Sequence, residues 1–218
     1  VAVNASRCST GTVNISVTGA ALGTTVDWYA DATGGSVLAG GTGTSAFTTP
    51  SISSTTTYYA EVRNSTTGCV SSSRIPVVAT INPLPSNDLV AVNASRCSTG
   101  TVNISVTGAA LGTTVDWYAD ATGGVVLAGG TGSISYITPI LNTNTITTYY
   151  AEVRNSTTGC ISSTRIPVIA RVDSLPIINL GNDTAICADQ NITFNAGAGY
   201  PNYLWSTGAI TRAITAVL

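Results

Sequence analysis

The chain has 218 residues, eight arginines against ten acids and a formal net charge of −2, with no lysine, histidine or methionine. Without histidine the usual general base near neutral pH is missing, as are His-containing zinc sites, and without lysine there is no Schiff-base nucleophile and no phosphate-loop lysine. Eight scattered arginines make no basic patch, which argues against nucleic acid as a partner. Serine and threonine number 59, hydrophobic residues make up 44% and charged residues only 8%. A chain rich in threonine, valine and isoleucine suits pleated, half-buried surfaces, so the composition reads as all-β. No apolar run approaches the roughly 18 to 20 residues that span a bilayer, so no membrane insertion of this segment is expected.

The expected strands follow from period-two alternation. In Thr12 to Thr18, Val13, Ile15 and Val17 share one face. In Thr24 to Ala30, Val26 and Trp28 point inward while Asp27 and Tyr29 point outward. Thr33-Gly34-Gly35 and Gly40-Gly41 punctuate turns. In Thr56 to Arg63, Tyr58, Ala60 and Val62 form one face, and Asn64 to Gly68 makes a hairpin turn. In Arg74 to Ile81, Ile75, Val77, Ala79 and Ile81 line up, while Pro76 marks an edge strand or a bulge. This register sets Glu61 opposite Arg74 on the wet face, an ion pair of modest worth.

The pattern then repeats. Val1 to Gly35 recurs letter for letter as Val90 to Gly124, a period of 89 residues. The match runs on through the VLAGGTG segments at Val37 and Val126 and the TYYAEVRNSTTGC segments at Thr57 and Thr148. Two extra residues between Pro139 and Tyr149 indicate a surface loop. From about Leu175 a diverged third unit begins, with Cys187 and Trp205 spaced much as Cys8 and Trp28 are. The expected division is residues 1–85, 86–175 and a partial unit 176–218, a window on a longer array. Seven or so short strands in about 90 residues, with one tryptophan and two cysteines, indicate tandem immunoglobulin-like β-sandwiches.

The motifs SRCSTGTVNISV, VDWYADATGG, TTTYYAEVRNSTTGC and SSSRIPVVATI resemble the Ig-like repeats of giant Bacteroidetes cell-surface proteins. LGNDTAIC and YLWSTGA resemble the repeats that adjoin type 9 secretion C-terminal regions. The resemblance covers the whole chain. It implies export across the outer membrane, an extracellular location and display as a long surface filament. It also implies an O-glycosylation signal, Asp followed by Ser or Thr and a small or aliphatic residue. Ser174 and Thr184 fit it. Eight Asn-x-Ser/Thr sequons, Asn4, Asn14 and Asn64 among them, are read as chance in so hydroxyl-rich a chain.

The five cysteines, Cys8, Cys69, Cys97, Cys160 and Cys187, read as a disulfide framework of an exported protein. A duplicated unit carrying its own staple favours Cys8–Cys69 and Cys97–Cys160, with Cys187 left for a partner beyond Leu218. Each staple would close a loop of about 60 residues, worth roughly 2 to 4 kcal/mol. The two turns lie at opposite ends of an ordinary sandwich, however. That leaves open a bridge between units, such as Cys8–Cys160, and free buried thiols. Dispersed cysteines without CxxC or histidine make a poor metal site.

Asp27 and Asp31, with Asp116 and Asp120, are too few for a calcium cage. The pairs Asp27 with Glu61 and Asp116 with Glu152 imitate a glycosidase dyad but sit in both copies without a cleft. Trp28, Trp117 and Trp205 read as core tryptophans packed near a disulfide. Tyr58 and Tyr149 read as core or corner residues. Tyr29, Tyr59, Tyr118 and Tyr150 read as outward aromatics, the candidates for a sugar- or partner-facing surface.

Together these readings describe a non-catalytic stalk segment of a repetitive surface adhesin, supporting attachment or gliding, with no cofactor. Its partners would be neighbouring Ig-like repeats, and surface polysaccharide or the gliding and secretion machinery. A polysaccharide-binding module and an accessory spacer of a secreted hydrolase are the alternatives.

Overall fold

The computed structural model describes residues 1–217, and among them there is no helix. The first repeat contributes seven strands: β1 (Ala2–Val3), β2 (Ala5–Cys8), β3 (Asn14–Val17), β4 (Thr24–Tyr29), β5 (Ala46–Thr48), β6 (Thr56–Asn64) and β7 (Ile75–Asn82). They form a three-stranded sheet in the order β1-β3-β5 and a four-stranded sheet in the order β2-β7-β6-β4. The second repeat copies the arrangement with β8 (Val90–Val92), β9 (Ala94–Cys97), β10 (Asn103–Thr107), β11 (Thr113–Tyr118), β12 (Ser135–Ile137), β13 (Thr145–Asn155) and β14 (Ile166–Asp173). Its sheets run β8-β10-β12 and β11-β13-β14-β9. The all-β sandwich expected from composition and alternation is what forms.

The chain enters each sandwich by switching sheets. β1 runs antiparallel to β3, with Ala2 opposite Val17, and β2 then runs parallel to β7, with Ala5 opposite Ala79 and Cys8 opposite Asn82. Asn4, between the two strands, accepts a hydrogen bond from the Val78 amide at 2.8 Å. Its counterpart Asn93 accepts from the Ile169 amide at 2.7 Å. The side chain thus stands in for the missing strand one residue before β2 takes over the ladder. This also explains Pro76. Amides two apart on a strand face the same neighbour, so Pro76 lacks its donor on the side of β7 that β2 has not yet reached. β7 is therefore a central strand that is open on one side only at its start, rather than an edge.

The core of the first repeat takes the alternate residues of both sheets: Val13, Ile15 and Val17 from one, Val26, Trp28, Ala60, Val77 and Ala79 from the other. Trp28 is fully buried. Its ring stacks on Phe47 with centroids 5.6 Å apart, and Phe47 in turn meets Tyr58 at 5.5 Å. In the second repeat Trp117, Tyr136 and Tyr149 make the same row at 5.8 and 5.3 Å. The indole N–H of Trp28 donates to the Thr44 carbonyl and that of Trp117 to the Ser133 carbonyl, which satisfies the polar atom that burial would otherwise orphan. The loop must pass very close to deliver that carbonyl. A Cβ at Gly41 would lie 2.8 Å from the Trp28 Cβ, and one at Gly130 would lie 2.8 Å from the Trp117 Cβ, so glycine is required at both. Leu38, Gly41 and Thr44 also exchange backbone hydrogen bonds with β4, which closes that edge of the sheet.

The expected hairpin turn is present. Asn64 accepts from the Thr66 and Thr67 amides through its side chain and from the Gly68 amide through its carbonyl, and Gly68 adopts φ of 71°. The two-residue insertion of the second repeat is shared between loop and strand. Asn144 turns the chain with φ of 60°, and Thr145 and Ile146 lengthen β13 at its start.

By packing, the described residues divide into two compact units. One comprises Val1–Ala94, Asn103–Thr138 and Thr147–Ala170; the other comprises Ser95–Val102, Pro139–Ile146 and the residues from Arg171 onward. Within the second unit, Gly100 and Leu141 exchange a pair of backbone hydrogen bonds at 3.0 Å. β15 (Asn191–Asn195) and β16 (Ala213–Val217) form an antiparallel ribbon, with Phe194 opposite Ile214. Trp205 is only half-buried here and lines an open apolar hollow with Ile178, Leu180, Tyr200 and Leu204. The expectation of a third core tryptophan is corrected: two strands cannot enclose a core.

Candidate functional site

The chemistry-bearing side chains of each repeat gather on the outer face of the four-stranded sheet. Asp27 lies directly across from Glu61, and Asp116 directly across from Glu152. Like charges set opposite on adjacent strands repel. Arginine resolves the conflict. Arg63 Nε donates to Asp27 at 2.6 Å and Arg74 Nε to Glu61 at 3.2 Å. In the second repeat Arg154 holds Asp116 at 2.6 Å and Arg165 holds Glu152 at 3.1 Å. Asp27 also accepts from the Gly43 amide, and Asp116 from the Gly132 amide.

This face is not wet, which corrects the reading of the alternation. Asp27 is 2% exposed, Glu152 4%, and Tyr29 and Tyr118 each 6%. The cover is arginine. The Arg74 guanidinium lies 3.3 Å above the Tyr29 ring centroid, and Arg165 lies 3.3 Å above that of Tyr118. Arg74 Nη1 also donates to the Asp31 and Gly34 carbonyls at 2.7 Å, and Arg165 Nη1 to those of Asp120 and Gly123. One side chain therefore pins the loop after β4, roofs the tyrosine and neutralises the glutamate. The tyrosine hydroxyl donates to the same carboxylate, Tyr29 to Glu61 and Tyr118 to Glu152, both at 3.0 Å. Tyr29 and Tyr118 are thus not available as outward aromatics, while Tyr59 and Tyr150 are half-buried. All four carboxylates of the two pairs are held by arginine, Asp27 and Asp116 by Arg63 and Arg154 and Glu61 and Glu152 by Arg74 and Arg165. Among the described residues no three of His, Cys, Asp and Glu stand close enough to hold a metal ion.

Burial, and then the hydrogen bond to glutamate, raise the pKa of Tyr29 and Tyr118 above the ordinary tyrosine value. Burial raises those of Tyr58, Tyr136 and Tyr149 in the core as well. A folded-state pKa above the unfolded one means that the folded chain holds the phenolic proton more tightly. The stability this supplies is complete below about pH 10 and is lost as pH climbs through the folded values. The melting temperature is expected to fall from about pH 10 upward, and less steeply in the Tyr29→Phe, Tyr118→Phe double variant. Circular-dichroism melts across that range would expose a flat profile, which contradicts this account.

The cysteines give the second constellation, and the favoured pairing is corrected. Cys8 bonds Cys160 with an S–S distance of 1.99 Å, across the two repeats, while Cys69, Cys97 and Cys187 are free and exposed. Strand direction explains why Cys8 cannot reach Cys69. Cys8 lies beside Asn82, at the end of β7, while the turn that holds Cys69 follows β6, whose last paired residues lie beside Ile75 at the start of β7. Seven residues of strand separate those two ends, roughly 23 Å, against a Cα separation of less than about 7 Å that a disulfide allows. Cys160 holds the Cys69 position in the second repeat. The linker leaving β7 runs past that turn, where Asn87 Nδ2 donates to the Thr164 carbonyl at 2.6 Å. Leu89 of the linker is buried. The core tryptophans accordingly pack on aromatic rings, not on a cystine. Ser174 and Thr184 are both exposed and outside any strand.

Sequence reasoning paired Glu61 with Arg74, as the structure does, but missed the burial of that pair, the Arg63–Asp27 pair, the stacking of Arg74 on Tyr29 and the Asn4 crossover. The signal for the arginine clamp was an aspartate and a tyrosine flanking a core tryptophan on a strand, with one arginine near the end of the long strand paired to it and another just before the strand after that. Once burial is known, four polar groups spaced in that register demand each other.

Among curated proteins none matches the chain in sequence. Of solved structures, the fibronectin(III)-like modules of Clostridium thermocellum CbhA are similar at 14% identity and a TM-score of 0.48, covering 83% of this chain and 95% of theirs. Murine CEACAM1b is similar at 12% identity and a TM-score of 0.35, covering 80% of this chain and 98% of its own. The family model for the Ig-like domain described as CHU_C associated matches twice, over residues 1–83 and 85–173. The chain therefore belongs to the CHU_C-associated Ig-like domain family and carries two of its domains in tandem.

Proposed function

We propose that this chain is a non-catalytic stalk segment of a long, repetitive bacterial cell-surface adhesin, the kind that gliding flavobacteria export by type 9 secretion and carry as a mobile filament. The observation that carries the reading is the Cys8–Cys160 bridge. A bond that ties one repeat to the next serves spacing and cohesion, and it suits the oxidising exterior where disulfides persist. The ion-paired carboxylates support the same reading, because their partners are spent on holding loops. In this proposal residues 1–85 and 86–175 are successive stalk segments and 176–218 belongs to a diverged third. Surface polysaccharide or the gliding and secretion machinery would then be partners of the whole adhesin, and Ser174 and Thr184 acceptors for its O-glycans.

The test is geometric. Small-angle scattering from chains of increasing repeat number is expected to show a rod that lengthens by several nanometres per repeat, because such arrays are quasi-one-dimensional. Reduction of the bridge should broaden the distance distribution while leaving both sandwiches folded, since the bond lies inside neither. A globule whose maximum dimension does not grow with repeat number overturns the stalk.

A further inference from the structure

We propose that the exposed thiols of Cys69 and Cys97 are preformed half-sites for covalent docking of further copies of this same repeat, in the staggered register that Cys8–Cys160 already displays. In that register the cysteine at the start of one repeat bonds the turn cysteine of the repeat that follows it. Cys97 is a start cysteine and Cys69 a turn cysteine. The proposal concerns only the pairing between repeats. It stands whether or not the array forms a rod.

Each half-site has the same local geometry with its partner and without it. On the start side, Ser9 follows Cys8 with φ of 62° and donates its amide to the Asn82 carbonyl at 2.9 Å. Ser98 follows Cys97 with φ of 69° and donates to the Asp173 carbonyl at 2.8 Å. Arg7 donates to the Thr12 carbonyl at 3.0 Å, and Arg96 to that of Thr101 at the same distance. On the turn side, the amides of Cys69 and Cys160 each donate to the threonine hydroxyl two residues before, both at 3.4 Å. A left-handed serine is uncommon, and holding it at both start cysteines keeps each thiol at the end of its strand. The difference between bonded and unbonded positions is burial. Cys160 is 1% exposed and bonded, while Cys69 and Cys97 are exposed and free. Pairing inside one repeat is denied to both by the length of the sheet between them.

Each new bridge needs an oxidant, and we assign that part to a disulfide-bearing thiol oxidoreductase or small-molecule disulfide. The thiolate of one cysteine attacks a sulfur of the donor disulfide, forming a mixed disulfide and releasing one donor thiol. The partner cysteine's thiolate then displaces the second donor thiol. Two electrons and the two thiol protons leave on the donor, and one S–S bond is gained as another is lost.

The test extends the chain by one further copy of residues 85–173, placed in frame after residue 173, and maps its bridges by non-reducing digestion after alkylation. The 218-residue chain serves as control, with Cys8–Cys160 bonded and Cys69, Cys97 and Cys187 alkylated. In the extended chain Cys97 should become protected and appear linked to the turn cysteine of the added copy, while Cys69 stays alkylated. Alkylation of Cys97 in the extended chain, or a Cys97–Cys160 peptide in either, overturns the proposal. Should the extended chain fold poorly, Cys160→Ser in the 218-residue chain supplies an independent reading. It frees Cys8, and oxidation by glutathione disulfide should then yield no Cys8–Cys69 peptide; its appearance also overturns the staggered register. A failed stalk would show in scattering and leave these maps unchanged.

Discussion

Arg165→Ala is expected to destabilise the second repeat by about 3–5 kcal/mol, the usual cost of stripping one partner from a buried ion pair. The arginine side chain is 8% exposed and the Glu152 side chain 6%. Removal leaves Glu152 with only the Tyr118 hydroxyl as a donor, and with Asp116 opposite it on the neighbouring strand. It also releases the loop carbonyls of Asp120 and Gly123 that the arginine pins and uncovers the Tyr118 ring. Arg165→Lys keeps the charge but loses the planar fork and the stacking, so it should recover less than half of the loss. Urea denaturation with a probe of the second repeat gives the number. A change below about 1 kcal/mol would class the pair with ordinary surface bridges and refute the clamp. Arg74→Ala should act alike on the first repeat.

Trp117→Ala is expected to cost about 3–5 kcal/mol, the range for removing a large aromatic from a packed core. The side chain is fully buried, stacks on Tyr136 and satisfies its N–H on the Ser133 carbonyl. The close approach of the Gly130 backbone, where an added Cβ would lie 2.8 Å from the tryptophan Cβ, makes the site poor at collapsing, because that loop is already as near as it can come. The loss should be local. Calorimetry of the variant should show one early transition for the second repeat and one unchanged for the first, whose core shares none of these contacts. A single cooperative transition shifted as a whole would mean that the repeats are not separate folding units.

The inward face of the fold was legible in the sequence because alternation there has one cause. Val13, Ile15 and Val17 are apolar since they are buried, and the letter-for-letter repeat doubles the signal. The outward face was not, because polar residues mark exposure and ion-paired burial equally. Asp27 and Glu61 have the same letters whether they meet water or arginine. Only the register, with Arg63 on the paired strand and Arg74 just before β7, tells the cases apart, and it operates across 36 and 13 residues of sequence. The cysteine pairing failed for a different reason. Symmetry of the repeat suggested a staple in each copy, but a disulfide is set by distance, and Cys8 travels along a strand parallel to the last strand of its own repeat. That parallel pairing carries the thiol to the far end, away from Cys69 and toward the following repeat. The opposite-ends difficulty was visible in the sequence; the strand switch at Asn4 that settles it was not.

The Cys8–Cys160 bond also changes what a pull on the ends of the chain can do. It joins residues 152 apart in sequence. Tension entering at Val1 reaches Cys8 through the two short strands β1 and β2 and crosses directly to Cys160. Residues 9 to 159, which carry β3 to β13, hang between the two sulfurs as a covalent side loop off the shortest path. At full extension about 50 nm of contour length is thereby withheld. While the bond is intact the segment behaves as a nearly inextensible link; once reduced, the same residues become a reserve of slack.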